Sequence, residues 1–137
     1  EKGQKGWDWF ALQLSDGREI MLYQIRRKSG MADVTSKGVI IDRYGDSRKL
    51  EWNDLNLKIL SNWTSPETGI QYPSGWSLEI PSENLNLKIT PFIKKQELRT
   101  AVNYWEGAVG VKTIEKNRKE LLGKGYVELT GYSGSNE

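Results

Sequence analysis

A two-residue rhythm of apolar and polar side chains recurs along this chain, and it points to sheet rather than helix. Alternation of that period places successive side chains on opposite faces of an extended strand, whereas a helix needs apolar residues three or four apart. In residues 7–14, Phe10, Leu12 and Leu14 share one face, and Trp7, Trp9 and Ala11 share the other. Ser15-Asp16-Gly17-Arg18 follows, and Asp-Gly predicts a two-residue hairpin turn because glycine supplies the positive φ. That turn sets Leu12 against Met21, Phe10 against Tyr23 and Trp9 against Gln24. The second face then mixes Trp7, Trp9, Gln13, Gln24 and Arg26, which suits a ligand or a second domain better than open solvent.

Gly38 to Tyr44 predicts a third strand, ended by Gly45-Asp46. In the fourth, Leu50 and Trp52 fall on even positions but Leu55, Leu57 and Ile59 on odd ones, so a bulge is expected near Asn53-Asp54. Residues 61–75, rich in Pro, Gly and polar side chains, read as a loop. Trp76, Leu78 and Ile80 mark a fifth strand, and Leu85, Leu87 and Ile89 a sixth, closed by Pro81 and Pro91. A long seventh strand runs from about Gln96 to Lys112, with Leu98, Thr100, Val102, Tyr104, Glu106 and Ala108 turned inward and Glu97, Arg99 and Asn103 outward. Residues 114–123 tolerate a helical turn or two, and Gly125 to Tyr132 forms the eighth strand with Tyr126, Glu128, Thr130 and Tyr132 on one face. The expectation is an all-β, eight-stranded antiparallel up-and-down meander closed into a barrel able to hold one small ligand. A two-sheet sandwich is the competing architecture.

The chain has 137 residues, enough for a single domain with a real core. It contains no His and no Cys, which removes a Ser-His-Asp triad, a thiol nucleophile and the usual zinc ligands. The 20 basic and 18 acidic residues are interspersed, unlike the concentrated basic footprint of a nucleic-acid binder. Arg26-Arg27-Lys28 and residues 116–119 read as solvated loops. No apolar run reaches the roughly 20 residues of a membrane helix, so an integral membrane protein is not expected. A chain opening at Glu1 without Met is expected to be a fragment, with any targeting segment upstream.

Two segments set a carboxylate among aromatic residues: Tyr104-Trp105-Glu106-Gly107 and the run from Gly125 through Tyr126 and Glu128 to Tyr132. A glutamate turned into a barrel must be paired, hydrogen-bonded or protonated, so Glu106 reads either as a working acid, with Tyr104 beside it, or as one end of a bridge to Arg26 or Arg99. The ligand-binding candidates are Trp7, Trp9, Trp63, Tyr72, Trp76, Trp105, Tyr126 and Glu128, because six Trp and six Tyr give large apolar bodies with polar handles. Each has a plain alternative: Trp7 and Trp9 as core or domain contacts, Trp63, Tyr72 and Trp76 as fixtures of a turn-rich loop, Glu128 as part of a solvated face.

Several of these segments, in order, resemble one family. Trp7-Asp8-Trp9-Phe10-Ala11-Leu12-Gln13-Leu14 with Asp16-Gly17, then Trp63, Ser65-Pro66, Gly69, Tyr72-Pro73 and Trp76, then Ile80-Pro81 and Tyr104-Trp105-Glu106-Gly107, look like the C-terminal half of AttH-like proteins. That family stands with hydroxyneurosporene synthase, a carotenoid 1,2-hydratase. The charged segment 114–124 is longer than the resemblance leads one to expect. The resemblance implies a lipocalin-like barrel over residues 1–137, the second of two such domains, binding a hydrophobic lipid or isoprenoid-like ligand. It further implies export to the periplasm or beyond the cell, and an association with ABC transport systems. An enzyme of this kind would be a hydratase or isomerase acting on an isoprenoid alkene, with Glu106 as acid and with no metal or organic cofactor demanded. A carbohydrate-binding β-domain is a third possibility, since Trp and Tyr platforms also suit sugar rings.

Overall fold

A computed structural model describes residues 4–114 and 120–133. It contains twelve strands: β1 (Gln4–Leu14), β2 (Glu19–Arg27), β3 (Lys37–Ile41), β4 (Ser47–Glu51), β5 (Asn56–Ile59), β6 (Asn62–Thr64), β7 (Gln71–Pro73), β8 (Trp76–Ile80), β9 (Leu85–Pro91), β10 (Glu97–Arg99), β11 (Asn103–Thr113) and β12 (Leu122–Leu129). Ten of them form one antiparallel sheet in the order β4-β3-β2-β1-β12-β11-β9-β8-β5, with β10 added on β11. β6 and β7 make a separate hairpin. The sheet curls strongly into a lipocalin-like half-barrel, with β1 laced to β12 and the seam left between β4 and β5.

The expected all-β antiparallel meander is therefore present, and its eight segments become ten strands for local reasons. The fourth segment is broken at Trp52–Asp54, where a 3-10 turn stands in place of the expected bulge. Glu51 accepts from the backbone of Asp54, and the Asp54 carboxylate accepts from the Glu51 N–H at 2.8 Å, which fixes the break. The seventh segment is broken by bends at residues 100–102, after which β11 doubles back on β10, with Leu98 opposite Tyr104. Residues 61–75, expected to be loop, hold the β6–β7 hairpin. Residues 115–119 of the expected helix-tolerant segment, with the basic stretch 116–119, lie outside the described residues, and its last two residues, Leu122 and Gly123, belong to β12.

The first hairpin forms one residue away from the expected register. Leu14 N–H donates to Arg18 O at 2.8 Å and Gly17 N–H to Leu14 O at 3.0 Å, so the loop has three residues, Ser15, Asp16 and Gly17, with Gly17 at φ 92°. Leu12 consequently faces Ile20, Phe10 faces Leu22 and Trp9 faces Tyr23. Since side-chain direction has period two, the slip exchanges faces on the second strand. Ile20, Leu22 and Arg26 go inward, while Met21 and Tyr23 go out.

Inside the curl the space is filled. Phe10, Ile20, Leu22, Leu50, Trp76, Leu78, Leu87, Ile89, Trp105 and Val127 are each buried to 1% exposure or less. Phe10 meets Trp76 edge to face at 5.2 Å between centroids. Each such side chain contributes about 1.5–3 kcal/mol by leaving water, so this interior is a structural core.

Candidate functional site

Glu106 and Tyr104 do not point into that interior. On β11 the buried residues are Trp105, Gly107, Val109 and Val111, so the even positions lie on the outer face. The inward expectation followed the parity of Leu98 through what is really a reversal of the chain. Gly107 sits in an unbroken ladder with β12, opposite Val127, so no bulge restores the expected direction. Neither Arg26 nor Arg99 bridges to Glu106; Arg26 belongs to a different cluster.

On the outer face, the registers of four strands assemble a row. Tyr23 on β2 stands opposite Trp9 on β1, Trp9 opposite Glu128 on β12, and Glu128 opposite Glu106 on β11. Beside it runs a second row, Met21, Ala11, Tyr126 and Ala108, whose two alanines leave the surface low. Trp7 and Tyr104 stand one step the other way along β1 and β11. Trp7 is 49% exposed, and Met21, Tyr23 and Tyr126 are also exposed. An open cleft of about 680 Å³ runs over Trp7, Trp9, Tyr23, Ile25 and Glu128, and another of about 1050 Å³ adjoins it over Ile70, Tyr104, Glu106 and Thr130.

Like charges directly opposite across a ladder disfavour the pairing. Among the described residues neither Glu106 nor Glu128 has an ion-pair partner, although Lys5 lines both clefts. The Tyr126 phenol feels both: its pKa is raised by partial burial and then by Glu106, Glu128 and Tyr104 nearby. Two carboxylates and two phenols thus share one patch of an aromatic surface. No third His, Cys, Asp or Glu side chain converges on them among the described residues.

The other candidates lie elsewhere. Trp76 and Trp105 are core residues, and Trp105 donates its indole N–H to Lys94 O at 2.7 Å. Trp63 stacks on Tyr72 at 6.2 Å, beneath the Ser65–Ile70 turn. That turn is tied to β10 by Glu97, expected to face outward. Its carboxylate accepts from Ser65 Oγ (2.6 Å), Thr68 Oγ1 (2.7 Å) and Tyr72 Oη (2.7 Å). Burial pushes the Glu97 pKa up, but these three hydrogen bonds together hold it below the usual carboxylate value.

Sequence reasoning missed a second cluster, at the end of the core nearest the clefts. Asp8 shares the inward parity of Phe10 and Leu12 and is buried. Its carboxylate accepts from Tyr132 Oη at 2.7 Å and lies 3.2 Å from Arg26 Nε, which is not aligned for a hydrogen bond. The Arg26 guanidinium stacks on the Tyr132 ring at 3.7 Å and donates to the Thr130 carbonyl. Burial pushes Asp8 up to about 6, with Arg26 and Tyr132 pulling in the opposite direction. The signal was present in the sequence, an aspartate on the core face of a strand, but the slipped hairpin register had turned Arg26 away from it.

The family model for AttH-like proteins matches residues 1–132. The crystal structure of a Nitrosomonas europaea protein assigned as an AttH superposes with a TM-score of 0.83 at 28% identity, over 98% of this chain and 41% of that one. Kievitone hydratase from Nectria haematococca superposes with a TM-score of 0.73 at 20% identity, over 95% of this chain and 40% of that one, a likeness of fold. The chain spans about two fifths of the length of each. No curated protein matches it.

Proposed function

The chain belongs to the AttH-like family, and on that footing we propose that it binds a hydrophobic, lipid- or isoprenoid-like ligand on the outer face of its sheet rather than inside the barrel. The observation that carries this is the contrast between the two faces. The interior is filled by large side chains, whereas on the outer face Trp7, Trp9 and Tyr23 line one open cleft, Tyr104 lines the adjoining one, and Tyr126 lies in the neighbouring row. Exposed aromatic patches of this kind mark ligand or partner surfaces. In a two-domain protein the other lipocalin-like domain would cover this face and exclude water from the bound ligand.

The neutral apolar fluorophore N-phenyl-1-naphthylamine provides a test with the full-length protein. Trp9→Ala is expected to weaken its binding by about tenfold, since Trp9 sits centrally in the aromatic row. Equal affinity in wild type and variant would overturn the outer-face reading, and displacement by oligosaccharides in place of fatty acids would favour a sugar site.

A hydratase reading is supported by Glu106 and Glu128 standing opposite each other beside two phenols. In it, Glu106 delivers a proton to an isoprenoid alkene carbon, aromatic faces shield the resulting cation, and water adds while Glu128 accepts the proton it releases. Kievitone hydratase has this fold, which makes hydration a chemistry the architecture accommodates. A Glu106→Gln protein that keeps ligand affinity and loses turnover would support this reading. Unchanged turnover on an isoprenoid alkene would remove it.

A further inference from the structure

The Asp8, Arg26 and Tyr132 cluster lies directly behind the proposed ligand face, and hydrogen bonds connect the two. Arg26 donates to the carbonyl of Thr130. The Thr130 hydroxyl accepts from Trp7 N–H at 3.0 Å, and Thr130 N–H donates to Trp7 O at 2.9 Å. Trp7 stands at the rim of both clefts, and Thr130, Gly131 and Ser133 form part of the wall of the larger. Gly131, at φ 76°, turns the chain so that Tyr132 folds back over Arg26 and Asp8. The seat of Trp7 is thus held from behind by a buried carboxylate, a guanidinium and a phenol.

We propose that Asp8, Arg26 and Tyr132 form a proton-responsive clasp that sets the position of Trp7 and of the 130–133 wall, and so regulates occupancy of the outer-face cleft. The inference rests on the outer-face reading of ligand binding and adds its regulation.

The groups around the Asp8 carboxyl come from two other elements: Arg26 from β2 and Tyr132 from the segment after β12. Behind the Tyr132 ring stands Tyr72 of β7 at 5.8 Å, whose phenol is hydrogen-bonded to Glu97 of β10. Tyr72 and Tyr132 both have their pKa values raised, chiefly by burial, so neither phenol ionises near neutrality. Asp8 is therefore the member of this group that changes charge in the mildly acid range, with its pKa at about 6. In an opened clasp the carboxyl would meet water and return toward its ordinary value of 3.8. The closed form then holds the proton more tightly than the open one. By linkage, acidification through about pH 6 favours the closed clasp, and a rise above it leaves a buried carboxylate that loosens it.

The test uses full-length protein in two measurements. In ligand-free protein, the Trp7 indole N–H resonance, assigned with Trp7→Phe, and the Asp8 carboxyl carbon resonance are expected to titrate together with a midpoint of about 6. Asp8→Asn is expected to abolish the Trp7 titration. Tyr132→Phe, a milder change, is expected to raise the midpoint, because it removes a hydrogen bond to the ionised carboxyl. A Trp7 resonance that stays flat across this range, or titrates unchanged in Asp8→Asn, overturns the clasp.

The second measurement is N-phenyl-1-naphthylamine affinity, expected to rise severalfold from about pH 7.5 to about pH 5 in wild type and by less than about twofold in Asp8→Asn. Equal pH dependence in both proteins overturns the regulatory role. Trp7 titration with a probe indifferent to Trp9→Ala instead overturns the outer-face reading and leaves the clasp standing.

Discussion

Two opposing effects meet at the Asp8 carboxyl: loss of water, which favours the neutral form, and Arg26 with Tyr132, which favour the charged one. Loss of water is the largest effect and wins, although Arg26 and Tyr132 both pull the other way. The folded-state pKa of Asp8 thus lies above its unfolded value, and its contribution to stability is complete below that unfolded value and lost as pH rises through about 6. Asp16, Asp33, Glu67 and Glu97 are shifted the other way, so theirs is present above their ordinary values and lost as pH falls. Relative to Asp8→Asn, the wild type is expected to gain roughly 2 kcal/mol between pH 7 and pH 4, read by urea unfolding across pH. A constant gap would contradict the assignment. Asp8 shares the parity of Phe10, Leu12 and Leu14, a signal the sequence reading passed over, and its partners could not be read locally. They depend on a hairpin register and on a chain end that returns from more than a hundred residues away.

At the scale of elements, two junctions decide which faces are which. The three-residue turn ending in Gly17 sets the β1–β2 register, and alanine there would have to adopt φ 92° with its Cβ 2.9 Å from that of Arg43. Gly17→Ala is expected to lower stability by about 1 kcal/mol or slightly more, measured by chemical denaturation. Asp-Gly announced a turn, but two- and three-residue loops share that dipeptide, and the choice between them moved Met21 and Tyr23 from the expected core to the outer face. The second junction is the Ser65–Ile70 turn, held against β10 by Glu97. Glu97→Ala would leave Tyr72 Oη, Thr68 Oγ1 and Ser65 Oγ without their shared acceptor. Amide hydrogen exchange within residues 65–70 is expected to accelerate by at least about tenfold while β1 and β12 stay protected. Alternation could not show the reversal between β10 and β11, because the bends at residues 100–102 carry no Gly or Pro to announce it.

For the whole molecule, the strand segments and their antiparallel order were legible because each stretch carried its own alternation and most turns their own signals. What stayed hidden was the direction of the functional residues, since a curled sheet has two apolar faces and parity alone does not say which one encloses the core. The structure resolves this with Phe10, Trp76, Leu78 and Trp105 inside and Trp7, Trp9, Glu106 and Glu128 outside. The deciding measurement is a crystal structure of the full-length protein soaked with a long-chain apolar amphiphile. The account predicts ligand density against Trp7, Trp9 and Tyr126 on the outer face, with the interior side chains undisturbed. Density threaded through the barrel among Phe10, Trp76 and Leu78 would contradict it.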